Sequence, residues 1–232
     1  MNMLLQLVEN GTSITDSTAA TDTSSSTTLD AMSLLFKGGI VMIPIAILSV
    51  IAVYLTIERY LTIKKAGILD SQFMGKIKDM VVEGDIKSAK TLCHSNGTPI
   101  GLMIEKGLTR IGKPLKDISV AVENVGKLEV YKLEKGMPLL ATISGAAPML
   151  GFLGTVTGMI RTFNQMQDSG QQITADLLSG GIGEAMMTTV AGLIVGIFAY
   201  IGYNLLSSMI NKVVYKMEAT SVEFLDILHE PV

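Results

Sequence analysis

Hydrophobic and polar positions along this chain fall into long blocks instead of alternating. An uncharged run covers Gly38 to Ile57, between Lys37 and Glu58. A second covers Gly136 to Ile160, between Lys135 and Arg161, and a third covers Ala185 to Asn211. A helix needs about 20 apolar residues to cross a bilayer, and each run supplies them. The pattern predicts an all-α membrane protein with three transmembrane helices. Its boundaries divide the chain into a flexible tail (1–30), a first transmembrane helix (31–60) and a helical domain (61–135). A second transmembrane helix (136–162), a linker (163–180), a third transmembrane helix (181–206) and an amphipathic helix (207–232) follow.

Between the blocks, apolar residues take helical spacing. Phe73, Ile77, Met80 and Val81 make one stripe, and Ile210, Val213, Val214, Met217, Phe224, Leu225 and Leu228 make another. Glu83–Gly84–Asp85 reads as a helix stop followed by an N-cap, and residues 95–99 read as a loop. From Leu115 the chain reads as helix with no strong break until Gly136–Met137–Pro138, and one long helix is expected to continue into the second span. The third helix is expected to start near Gly181 and to run on past the membrane. No strand pattern and no fixed-period repeat is visible. Residues 11–28 are mostly Ser, Thr, Asp and Ala, too polar to offset the entropy of ordering, and read as a disordered tail.

Composition agrees with a membrane chain. Of 232 residues only 17% are charged and 48% are hydrophobic, outside the range of an ordinary soluble domain. Fourteen of the 18 Lys and Arg lie from Arg59 to Lys135. Positive loops stay on the cytoplasmic side. The N-terminus and the 163–180 linker are therefore expected outside, with the helical domain and the C-terminus inside. Residues 1–10 have no basic region and only a short apolar run, so no cleavable signal peptide is expected and the first span serves as an anchor. Cys93 is the one cysteine, so no disulfide forms within the chain.

The candidate chemistry centres on Glu184, the one carboxylate inside the small-residue apolar stretch from Gly180 to Asn204. Burying such a group in lipid costs about 2.5–3.5 kcal/mol on insertion scales, so it faces protein or a wet cavity. Ser144, Pro148, Gly151, Thr155, Gly158 and Thr162 share one small face of the second span, with Leu140, Ile143, Met149, Phe152, Val156 and Met159 opposite. Ala185, Thr188, Thr189, Gly192, Gly196 and Ala199 form a small face on the third. Gly154-xxx-Gly158 and Gly192-xxx-Gly196 have the spacing of closely packed helices. Glu184 falls at the edge of its face, nearer Thr188 than Thr189. Thr155 and Glu184 both fall in the outer half of the membrane and are expected to share a layer. Two plainer readings stand beside this one: the small faces are packing only, or Glu184 answers the dipole of its helix N-terminus.

Other chemistry finds no support. Cys93–His94 lacks a ligand set, so no metal site is expected, and no cofactor is implied. The glycines at 180, 181 and 183 follow no strand, so they are no phosphate loop. Basic and acidic residues alternate in 61–135, which argues against nucleic acid. No Ser/His/Asp set exists, and no enzyme is expected.

The segment GAAPMLGFLGTVTGMIRTF from Gly145 to Phe163 resembles the second-span motif of the MotA/TolQ/ExbB proton-channel family. GGIGEAMMTTVAGLIVGIFAYIGYN from Gly180 to Asn204 resembles its third-span motif, and EGDIKSAKTLC from Glu83 is similar to its cytoplasmic region. Three spans match the ExbB/TolQ branch. The resemblance implies a pentameric ring in the inner membrane of a diderm bacterium. An ExbD-like dimer of single-span chains would stand inside the ring, and a TonB-like protein would carry work to the outer membrane. It places Thr155, Glu184 and Thr189 at polar pore positions, with Thr188 beside them, and puts the titrating aspartate on the partner helix. A TolQ-type subunit of the Tol-Pal system carries the same motifs. A non-conducting scaffold is the rival from another class. A self-contained channel is disfavoured by the single intramembrane carboxylate.

Overall fold

The computed structural model of the chain describes residues 39–68, 72–168 and 175–229. Among these there are seven helices and no strand. The tail at 1–30 lies outside the described residues, as do 169–174 of the expected 163–180 linker; the rest of that linker is helical. Helix α1 is Met42–Ala66, α2 Phe73–Val82, α3 Ile86–Asn96 and α4 Pro99–Thr109. Helix α5 is Leu115–Glu134, α6 Met137–Asp168 and α7 Ala175–His229. Three helical stretches are long and apolar enough to cross a membrane, Met42–Ala66, Leu115–Gln167 and Gly180–His229.

Local chemistry explains most of the boundaries. Gly84 has φ +80, which ends α2, and the Asp85 side chain accepts a hydrogen bond from the Ser88 amide to cap α3. Gly97 in the left-handed region closes α3. The Thr98 hydroxyl oxygen then accepts from the Gly101 amide, and Pro99 opens α4, where its missing N–H costs nothing. The expected 95–99 loop is therefore only a two-residue joint.

Three expectations are corrected. The long helix from Leu115 is broken at Lys135–Gly136, where Gly136 has φ +84. Pro138 sits in the first turn of α6, where it fits and has no amide to satisfy. The first transmembrane helix is described as Met42–Ala66 and so runs past its expected end at 60, while 31–38 lie outside the described residues. Pro44 falls in its first turn, among amides that have no intrahelical acceptor, so no neighbour need compensate for it. The third helix starts at Ala175, about six residues before Gly181, because small and polar residues there still tolerate helix.

Helices α6 and α7 run antiparallel as the most extensive pair, and α1 lies along one flank of them. A carbon at Gly202 would press on Thr56 of α1 and approach Leu140 of α6. Leu140 and Ile143 are buried instead of facing away from the small face as expected; Leu140 stands four residues, about 40°, from Ser144. At the far end, Lys216 donates to the Gly67 carbonyl and Arg59 to the Lys132 carbonyl, tying α1 to α7 and α5. Helices α2, α4 and α5 fold against the extension of α7, and α3 packs on α2 and α4. Phe224 is fully buried there, against Gly107 of α4. Met149, Phe152, Ile194, Ile197 and Tyr200 are exposed, as the lipid- or subunit-facing side of a membrane bundle requires.

Candidate functional site

The seam between α6 and α7 is made of small residues because the two backbones nearly touch. A side-chain carbon at Gly192 would lie 2.5 Å from the Ala147 carbonyl oxygen and 2.9 Å from Gly151 Cα. One at Gly151 would lie 3.0 Å from the Thr188 carbonyl oxygen, and one at Gly158 3.0 Å from Ala185 Cβ. Gly154 faces the Thr188 side chain directly. At Gly196 an added carbon would meet the Pro148 ring at 2.5 Å and the Ser144 carbonyl at 3.1 Å. Pro148 has no N–H, so the Ser144 carbonyl is left without its usual helical donor, and Gly196 leaves room for both. All four glycines of the two motifs line this seam, and Gly151 with them.

These contacts fix the register. Gly192 stands beside Ala147 and Gly151, Thr188 beside Gly151 and Gly154, and Ala185 beside Gly158. Thr188 is buried, and its hydroxyl donates to the Ala185 carbonyl at 2.7 Å, with Gly151 O at 3.5 Å. The Thr189 hydroxyl donates across the seam to Gly151 O at 3.0 Å. Thr155 donates to Phe152 O at 2.6 Å within its own helix. Each threonine thus spends its proton on a backbone carbonyl and keeps lone pairs free to accept.

Glu184 takes a different position. Its Oε1 lies 3.6 Å from Arg161 Nη1, and it reaches the chain at Gly39, just before α1. A 220 Å³ cavity lies there, lined by Gly39, Ile40, Val41, Gly154, Thr157, Gly158, Arg161, Glu184 and Thr188. On a helical wheel Thr155 stands about 40° to one side of Gly151, and Arg161 about 80° to the other. On α7, Thr189 stands about 60° to one side of Gly192, and Glu184 about 80° to the other. Antiparallel packing puts Thr155 with Thr189 on the open flank, and Arg161 with Glu184 on the flank that α1 covers. The register also sets Glu184 about one helical turn beyond Thr155. The four candidate residues are therefore gathered at one end of one seam, but not in one layer within a single chain. Thr188 lies between the two flanks.

Arg161 is the residue that sequence reasoning passed over, having treated it only as the end of a span. Its place one turn beyond Gly158, facing the Glu184 turn, was available from the same wheel.

Among the described residues no cluster of three or more His, Cys, Asp or Glu side chains is placed to hold a metal. Cys93 is buried in α3, and burial, with the Glu105 charge adding, pushes its thiol up to about 12. That makes it a poor nucleophile. His94 Nδ1 lies 3.5 Å from Glu105, on the surface.

Comparison with known proteins points one way. The profile of the MotA/TolQ/ExbB proton channel family matches residues 95–219. A Synechocystis sp. chain named ExbB-like 1 is 33% identical over 175 residues, 75% of this chain and 69% of its own length. Biopolymer transport protein exbB1 of Vibrio cholerae is 38% identical over 90 residues, 39% of this chain and 40% of that one. Tol-Pal system protein TolQ of Haemophilus influenzae is 35% identical over 101 residues, 44% of each chain. The last two alignments each span less than half of the relative.

Proposed function

The chain belongs to the MotA/TolQ/ExbB proton channel family, and from that premise we propose that it is a ring-forming subunit of a proton-motive-force-driven motor of ExbB–ExbD type. It is a multi-pass membrane protein with three spanning helices. In this reading it sits in the inner membrane with its N-terminus periplasmic and its C-terminus cytoplasmic. Five copies surround a dimer of single-span partners, and the complex energises TonB-dependent transport across the outer membrane. A transport role leaves no reaction for this chain to catalyse.

One observation carries the reading. The α6–α7 seam presents Thr155 and Thr189 on the flank that no other helix among the described residues covers. Their lone pairs suit water and a passing proton. A carboxylate on a partner helix facing that flank supplies the titrating group that this chain lacks. Glu184 and Thr188 line the path from the other side of the seam.

A second reading rests on a specific finding. Relatives named as Tol-Pal system TolQ match at 35% and 36% identity, as well as the ExbB proteins do. The same ring would then serve envelope maintenance. The test is to purify the complex from native membranes and weigh it intact. A mass of five copies plus two single-span chains, each with an intramembrane Asp, is expected. A complex without a single-span chain would refute the motor assignment. The sequence of the copurified partner distinguishes the two branches.

A further inference from the structure

We infer that Arg161 is the positioning residue for Glu184, and that with Gly39 the pair forms a clasp closing the α1 flank of the seam. The inference rests on the proton-path reading of Glu184 given above. Three separate elements meet at this point: the residues leading into α1, the last third of α6 and the start of the apolar part of α7. Arg161 Nη1 lies 3.6 Å from Glu184 Oε1. Gly39 has φ +66, and a carbon added there would lie 2.7 Å from the same carboxylate oxygen and 3.6 Å from the same guanidinium nitrogen. Only glycine takes that backbone conformation without strain and leaves that space. The turn is closed by Met42 N–H donating to Gly39 O at 3.1 Å. The approach to α1 is therefore shaped around the ion pair.

Behind the clasp lies the 220 Å³ cavity, which reaches from the carboxylate to Gly154 and Thr188 in the seam. Among the described residues Arg161 and Glu184 are the only charged side chains that line it. The residues leading into α1 contribute Ile40 and Val41 and no charge, so Arg161 alone balances Glu184 among the described residues. A guanidinium keeps its charge at any working pH and holds a carboxylate in a fixed direction. Glu184 is thus aimed along the α1 flank, away from Thr155. Any group reaching it must come through the cavity or must part the clasp. The competing role for Arg161 is a simple interfacial anchor, in which its charge only meets headgroups and water.

The test uses the full complex as purified, with Val41→Cys as a reporter inside the cavity. Native Cys93 is buried and stays silent toward maleimide. The reporter labels slowly with N-ethylmaleimide when Arg161 is intact. Arg161→Ala speeds labelling about two- to fivefold, as expected for loss of one partly exposed ion pair. Arg161→Lys stays near the unmutated rate. In the same preparations, reconstituted in liposomes, Arg161→Ala moves the pH midpoint of proton uptake and Arg161→Lys keeps it. Unchanged labelling and an unchanged pH profile in Arg161→Ala overturn the inference and leave the anchor role. If Arg161→Ala does not assemble, Arg161→Gln carries the same expectations. Labelling needs no proton conduction, so the two readings fail separately. Fast labelling with full proton uptake in Glu184→Gln would keep the clasp and refute the proton role of Glu184.

Discussion

Gly192→Ala should open the seam on which the site depends. The new carbon would stand 2.5 Å from Ala147 O, 2.9 Å from Gly151 Cα and 3.1 Å from Gly151 N, where ordinary contact begins near 3.4 Å. All three neighbours are backbone, so no side chain can swing away. The helices must part by about 1 Å, which forfeits a quarter to a half of each dispersion contact along the seam. Overpacking of this kind costs about 1–3 kcal/mol. Stretching the Thr189 hydrogen bond to Gly151 adds about 0.5–1.5 kcal/mol. Against this, alanine gains about 0.8–1.0 kcal/mol in helix propensity. The net expectation is a loss of roughly 1–3 kcal/mol. Gly145→Ala is the control, since nothing lies within 4 Å of its added carbon. That variant should gain up to about 1 kcal/mol. Unfolding of the detergent-solubilised chain, followed by helical circular dichroism, separates the two. Equal stability of Gly192→Ala and Gly145→Ala would refute the close-packed seam.

Other expectations follow from the helical domain. Phe224→Ala should cost about 3–5 kcal/mol and free the end of α7 from α4, because the ring is fully buried against Gly107. An unchanged melting temperature and proteolysis pattern would contradict that packing. Hydrogen bonding from Ser88 holds the Asp85 carboxyl below its ordinary 3.8. A folded pKa below the unfolded one gives stability present above the unfolded value and lost as pH falls through the folded value. Asp85→Asn should flatten stability against pH in that acid range, and an unaltered profile would argue against the cap. The Cys93 thiol is raised from 9.0 to about 12. Its contribution is complete below 9.0 and is lost as pH rises toward 12, a loss that Cys93→Ala should remove from an alkaline unfolding series.

The three spans were legible because their signal is composition, which no tertiary contact overrides. The Glu83–Gly84–Asp85 break was legible for a related reason, since stop and cap act through adjacent backbone. The break signal at Gly136–Met137–Pro138 was visible, but the helix was expected to continue through it. Glycine in a membrane helix often continues, and only the left-handed φ at Gly136 ends α5. The glycines of the seam announced themselves by spacing. Which flank of it each polar residue takes did not, because that depends on where α1 lies. Thr155 and Glu184 share a region of the sequence pattern, yet α1 covers one and leaves the other open. Leu140 was misplaced on the wheel itself, since it stands four residues, about 40°, from Ser144 at the small face.

The central claim is that the seam hydroxyls carry protons to a partner carboxylate. Proton uptake into liposomes bearing the purified complex tests it most directly, with Thr155→Val, Thr189→Val and Glu184→Gln each compared with the intact protein at equal assembly. The account predicts that uptake falls in each single variant and is abolished in Thr155→Val/Thr189→Val, while the complex keeps its mass. Full uptake in that double variant would contradict it and leave the seam as packing alone.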